Sequence, residues 1–186
     1  MFITNKGLTF DAHLKGIDRE LTIWGDHAIA GTKGAEVIPE LKVSEKDFIV
    51  PKRRYSGFFQ TDLDILLTEL GVKTVIMTGL HTHMCVRHTS ADAFCLGYDV
   101  VAAKEATDSF TEEDYKAGLA YLKTCYGADA YTNKELIEMF LGVGVAGWRS
   151  RLLHSGAPQF APEPRLRPAC VTWKIHRNDT SFFESH

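Results

Sequence analysis

What the sequence has little of narrows its class. Its four cysteines, Cys85, Cys95, Cys125 and Cys170, are far apart and contain no C-x-x-C pair. A disulfide framework or a thiolate zinc knuckle is therefore not expected, and a reducing, cytoplasmic setting suits the chain. Long apolar runs are missing, and nothing approaches the ~20 residues of a membrane span. No basic stretch followed by an apolar one marks a secretory leader. Charge of one sign is also missing: the formal net charge is −3 over 186 residues. Nucleic acid and anionic membranes are thus not expected as partners. There is no internal repeat.

What is present is ordinary for a soluble globular chain, with 45% hydrophobic and 24% charged residues, enough for one domain with a full core. The far end differs. Residues 142–186 hold six of the 21 basic and three of the 24 acidic residues, and four of the six prolines, Pro158, Pro162, Pro164 and Pro168. Apolar residues there keep no sustained period. The division read from this is a domain over 1–141 and a poorly structured extension over 142–186.

Within 1–141, strand and helix patterns alternate. Asp47-Phe48-Ile49-Val50 predicts a short strand that delivers Pro51-Lys52. Leu63, Leu66, Leu67 and Leu70 follow at helical spacing, with Thr61 as N-cap and Gly71 as terminator. Thr74–Thr78 predicts a buried strand closed by Gly79, and Tyr98–Ala103 another. Thr111-Glu112-Glu113-Asp114 opens a helix to about Cys125, and Ala128–Tyr131 is a short strand. Thr132-Asn133-Lys134-Glu135 is a capping box, with Leu136, Ile137 and Phe140 expected on the buried face. Strands alternating with helices predict an α/β fold, a Rossmann-like three-layer sandwich with a mainly parallel sheet. Working groups in such sheets collect at the carboxyl ends of the strands, where Lys52 and Cys85 both fall.

Cys85 sits where the Thr74 strand turns into a helix reaching about Leu96. Helix-start N–H groups and the positive end of the dipole favour thiolate over thiol, and the thiolate is the nucleophile. The same N–H groups can hold an oxyanion. Free cysteine is also among the most buried residue types, so a small core residue is the competing reading. By that measure Cys95 and Cys125, within helices, are expected to be buried, and Cys85 to be the most reactive thiol. His81, His83 and His88 offer an alternative Cys–His pair, His88 three residues after Cys85 on one helix face.

A second cluster stands earlier. Asp11-Ala12-His13 places a carboxylate and an imidazole two apart, and Trp24-Gly25-Asp26-His27 adds another imidazole after a turn. One carboxylate and two imidazoles suit Zn²⁺, Fe²⁺ or Mn²⁺ with open positions for water or substrate. D-x-H is a weak pattern, equally that of a surface aspartate and unrelated histidines.

Taken together, the segments resemble the isochorismatase-like cysteine hydrolases, the superfamily that includes the nicotinamidases. The likeness lies in Trp24–His27 followed by Gly31-Thr32-Lys33-Gly34-Ala35-Glu36, in Lys52-Arg53-Arg54-Tyr55-Ser56-Gly57-Phe58, and in Gly79–Val86 continuing through Thr89, Asp92-Ala93 and Gly97-Tyr98. The resemblance implies a Cys–Asp–Lys triad with Cys85 as nucleophile and Lys52 as its lysine. It implies an oxyanion hole from the backbone N–H groups of His81 and Cys85, with a cis peptide between Leu80 and His81. It implies a metal site at Asp11, His13 and His27. Nicotinamidases often add a histidine shortly after D-x-H, where this chain has Asp18 and Arg19. The family's triad aspartate lies in D-x-Q-x-D-F at the end of the first, central strand, and nothing before Asp11 has that form.

The chain is accordingly expected to lack that strand and to be an N-terminally incomplete member. Met1–Thr4 and Thr74–Thr78 would then be left as unpaired inner edges or close on each other, and the fold would be marginal. The expected function is a cysteine hydrolase acting on a C–N bond of a small-molecule amide through an acyl-thioester on Cys85, slowed by the missing aspartate. The alternative is a non-catalytic homologue that binds metal or partners. Expected partners are the small amide-type substrate and further copies of the chain in a homo-oligomer. A divalent metal, and no organic cofactor, completes the expectation.

Overall fold

A computed structural model describes residues 2–5, 19–25, 27–29, 31–141 and 169–171. In chain order the elements are β1 (Phe2–Asn5), α1 (Arg19–Trp24), β2 (Ile49–Lys52), α2 (Leu63–Glu69), β3 (Thr74–Leu80), α3 (Arg87–Cys95), β4 (Asp99–Asp108), α4 (Glu112–Tyr126), β5 (Asp129–Tyr131), α5 (Asn133–Leu141) and β6 (Ala169–Val171). Every strand pairing is parallel, and the order in the larger sheet is β5-β4-β3-β6. β1 and β2 pair separately, with Asn5 in register with Lys52.

Side chains of successive strand residues point to opposite faces, and this divides the core in two. Val75 and Met77 of β3, with Val100 and Ala102 of β4, pack with Leu63 and Leu67 of α2, Val86 and Ala93, and Leu122 of α4. Ile76, Val101 and Ala103 face the other way, onto Leu136 and Met139 of α5. Helices thus cover both faces of a parallel sheet, as the alternating pattern predicts. Thr74–Thr78 is buried without a break, the signature of a strand covered on both faces.

Local signals hold where a side chain closes on its own turn. The Thr111 hydroxyl accepts the N–H of Asp114 at 3.1 Å and caps α4. Thr132 and Glu135 form the reciprocal capping box, at 2.7 and 3.2 Å. At α2 the cap position is Asp62 rather than Thr61, although the Thr61 hydroxyl still accepts the Leu63 N–H at 3.3 Å. β2 begins at Ile49 and includes Pro51, which is tolerated because, among the described residues, only the β1 side of this strand is paired.

Three expectations are corrected. Ile137 and Phe140 are exposed (56% and 57%), because α5 turns Leu136 and Met139 to the sheet and these two away from it. Cys95 and Cys125 are exposed, since the inward stripes of α3 and α4 run through Thr89, Ser90 and Ala93 and through Gly118 and Leu122. The edge of β3 opposite β4 is not left bare: β6, from within the segment read as poorly structured, pairs with Val75–Met77. β1 does not close on β3; it pairs with β2. The rest of the C-terminal extension lies outside the described residues.

Candidate active site

β3 ends in Gly79, at φ +100°, and in a cis peptide between Leu80 and His81, as the resemblance implied. The chain then makes a wide turn over Thr82–Val86, closed by the Val86 N–H to the His81 carbonyl at 3.2 Å, before α3 begins. Hydrogen bonds five residues apart widen a helical turn and are common at functional sites. Cys85 is the fourth residue of this turn and is 6% exposed. Thr82 is fully buried and donates its hydroxyl to the Asp108 carbonyl at 3.0 Å, tying the turn to the end of β4.

α4 lies directly against the turn at Gly118. A Cβ there would meet the backbone N of His83 and Cγ2 of Thr82, each at 3.0 Å. The backbone neighbour cannot swing aside, so Gly118→Ala is expected to destabilise the fold by about 1–3 kcal/mol. It should also lower whatever activity Cys85 carries. Calorimetry on the variant would show it; an unchanged melt would mean that the helix moves freely over the turn.

Lys52, at the carboxyl end of β2, is 2% exposed, not the solvated strand-end lysine that its position alone suggests. Its ammonium donates to the Arg54 carbonyl at 2.8 Å and lies 3.7 Å from Sγ of Cys85. Two strand ends thus bring together residues 33 apart in sequence. An ammonium in contact with sulfur in a water-poor site favours the thiolate.

The three candidate histidines are engaged elsewhere. His88 is exposed, with Nδ1 2.8 Å from the Met84 carbonyl. His83 Nδ1 is 2.9 Å from the Ser109 hydroxyl. The His81 ring lies 3.9 Å from that of Phe110, and its Nδ1 is buried without a hydrogen-bond partner among the described residues. Phe110 also stacks on Trp24 at 5.5 Å, and Trp24 donates Nε1–H to the Tyr55 hydroxyl at 3.0 Å. A wall of rings therefore joins α1, the segment after β2, the turn that carries Cys85 and the β4–α4 loop. Sequence reading missed Phe110 and Ser109; the signal available was their place just beyond a strand's carboxyl end.

Burial, reinforced by nearby His83, lowers the pKa of His81 from 6.5 to about 4, against the opposing pull of Asp108 and Asp114. The unfolded imidazole takes up its proton near 6.5 and the folded one near 4. Between those values the unfolded state binds more protons, so stability is full above 6.5 and falls as the pH drops toward 4. Melting temperature followed across that window should decline less in His81→Phe than in the parent. Parallel declines would place the acid sensitivity elsewhere.

Of the proposed metal ligands, Asp11 and His13 lie outside the described residues, as does Asp18. No group of three His, Cys, Asp or Glu among the described residues is placed to hold a metal ion. His27 is described, with Nδ1 2.9 Å from the Gly25 carbonyl. A carbonyl only accepts, so Nδ1 carries a hydrogen, and in the neutral ring the lone pair is on Nε2, free to ligate in that tautomer.

The isochorismatase domain family matches residues 11–135 of the chain. The chain is 35% identical over 104 residues to the uncharacterized isochorismatase family protein YwoC of Bacillus subtilis, covering 56% of this chain and 54% of that protein. It therefore spans about half the length of that curated relative. Among solved structures it resembles an isochorismatase-like hydrolase from Alkaliphilus metalliredigens, with a TM-score of 0.66 and 36% identity over 74% of this chain and 71% of the other. It also resembles the pyrazinamidase of Pyrococcus horikoshii in complex with zinc, with a TM-score of 0.62 and 29% identity over 70% of this chain and 73% of the other.

Proposed function

The chain belongs to the isochorismatase family, and from that premise we propose that it is a cysteine hydrolase cleaving a C–N bond of a small-molecule amide. The observation that carries this reading is the buried contact of Lys52 Nζ with Cys85 Sγ at the strand ends. A thiolate nucleophile held by an ammonium needs such contact; a merely structural cysteine does not. The likeness to a pyrazinamidase supports an amide as the substrate class.

In this reading the Cys85 thiolate adds to the amide carbonyl carbon. The negative charge gathers on the carbonyl oxygen, facing the backbone N–H groups of His81 and Cys85. The C–N bond then breaks, the leaving nitrogen takes a proton, and the acyl group stays on sulfur as a thioester. Water adds to the thioester, the acid leaves, and the thiolate returns. In this reading Lys52, in contact with sulfur, keeps the thiolate, gives the leaving nitrogen its proton and recovers one from the attacking water. No residue is assigned the role of the triad aspartate. No carboxylate of the chain is expected to reach both Cys85 and Lys52, Asp11 being the nearest candidate, and slow turnover is proposed on that ground. Asp11, His13 and His27 are the residues that would hold a divalent ion, which when bound would polarise a substrate group. The assembly is read as a homo-oligomer.

The test is release of ammonia from a panel of aromatic and aliphatic primary amides, with an acyl-enzyme sought by intact mass on rapid quenching. Ammonia released in proportion to enzyme, and an acyl adduct mapped to Cys85, are the expected results. A folded chain that acylates with no member of the panel would instead support the non-catalytic module.

A further inference from the structure

Lys52 and Cys85 sit on different strands' ends, and something must hold one to the other. The segment after β2 supplies part of it, since the Arg54 carbonyl accepts from the Lys52 ammonium at 2.8 Å. The remainder comes from α3. Thr89, fully buried, donates its hydroxyl to the Cys85 carbonyl at 2.8 Å. That bond reaches back four residues and is ordinary for a threonine in a helix. The second bond is not: the same oxygen accepts the N–H of Gly57 at 3.0 Å, across 32 residues. One turn on, the Asp92 carboxylate accepts the hydroxyl of Ser56, which in turn accepts the Phe58 N–H at 3.1 Å.

These contacts close a ring. From the Cys85 carbonyl it runs through the Thr89 hydroxyl to Gly57, back along the chain to the Arg54 carbonyl, through the Lys52 ammonium, and to Cys85 Sγ. The hydroxyl gives its one hydrogen to the Cys85 carbonyl and accepts the Gly57 N–H, so this single side chain joins the two backbone segments. Gly57 is buried, and its N–H would otherwise be stranded.

The geometry points to Thr89 and Ser56 as positioning residues that set the separation of the Lys52 ammonium from the Cys85 sulfur, Asp92 acting by holding Ser56. Neither Thr89 nor Ser56 is given a contact with substrate. The inference rests on the proposed roles of Cys85 and Lys52.

The experiment reads thiol reactivity, not turnover. The full chain is treated with iodoacetamide from pH 5 to 9, and labelling of Cys85 is followed by mass spectrometry, with exposed Cys95 and Cys125 as internal standards. In Thr89→Val, of nearly the same shape, alkylation of Cys85 at pH 6 is expected to fall about tenfold and its pH midpoint to rise, as expected for a group displaced by a fraction of an ångström. Thr89→Ser should stay close to the parent. Ser56→Ala gives an independent reading through the other bridge and decides the matter if Thr89→Val does not fold. A folded Thr89→Val with the parent's rate and midpoint overturns the inference, and so does a Thr89→Ser as slow as the valine variant. A parent in which Cys85 reacts no faster than Cys95 at pH 6 overturns the proposed function itself, and the positioning role with it.

Discussion

Replacing Cys85 by alanine is expected to abolish amide hydrolysis, a loss of at least about 10⁴-fold in kcat, the scale seen when a covalent nucleophile is removed. The covalent route then has no first step, and none of the three candidate histidines is placed to substitute: His81 packs against Phe110, His83 meets Ser109, and His88 reaches the Met84 carbonyl. The fold should survive, because only a sulfur is lost from a buried cluster that also holds Val86, Met77 and Val50. Ammonia release from the best amide of the panel, with circular dichroism on the same sample, is the measurement. Activity within about tenfold of the parent would rule out a thioester route.

Lys52→Met is the second large effect, and it separates catalysis from stability. Methionine nearly fills the lysine's volume and carries no charge. Without the ammonium 3.7 Å from sulfur, the thiolate loses its counter-charge, so the pH midpoint of Cys85 alkylation should rise. Hydrolysis should fall roughly 10²–10⁴-fold, the range for a group that moves protons in the reaction. Stability should hold or increase, because a buried charge costs more than an apolar side chain of similar shape. A variant that melts higher and hydrolyses poorly is the expected signature. One that alkylates and turns over like the parent would reduce Lys52 to a structural residue.

The sequence by itself determined what depends on near neighbours. Thr111 and Asp114, or Thr132 and Glu135, lie three residues apart and cap their helices wherever the helices go. The apolar residues of Thr74–Thr78 and Leu63–Leu70 declared their strand and helix by spacing. The order of those elements then called for a parallel sheet with helices on both faces. The turn that carries Cys85 was legible for the same reason, as a strand closed by glycine and followed at once by a helix.

Only the tertiary structure decided what depends on distant partners. Spacing could not say that Lys52 would be buried against Cys85, that Thr89 would reach Gly57, or that Phe110 would slide under His81 and Trp24. Nor could it say which helical cysteines face outward, since a helix pattern gives a stripe but not its edges; Cys95 and Cys125 fell beyond them. Ile137 and Phe140 went the same way, α5 turning Leu136 and Met139 to the sheet in their place. β6 shows the limit most plainly. Ala169–Val171 has no periodicity to announce a strand, and is one through backbone pairing with Val75–Met77 of β3, a partner about 90 residues away.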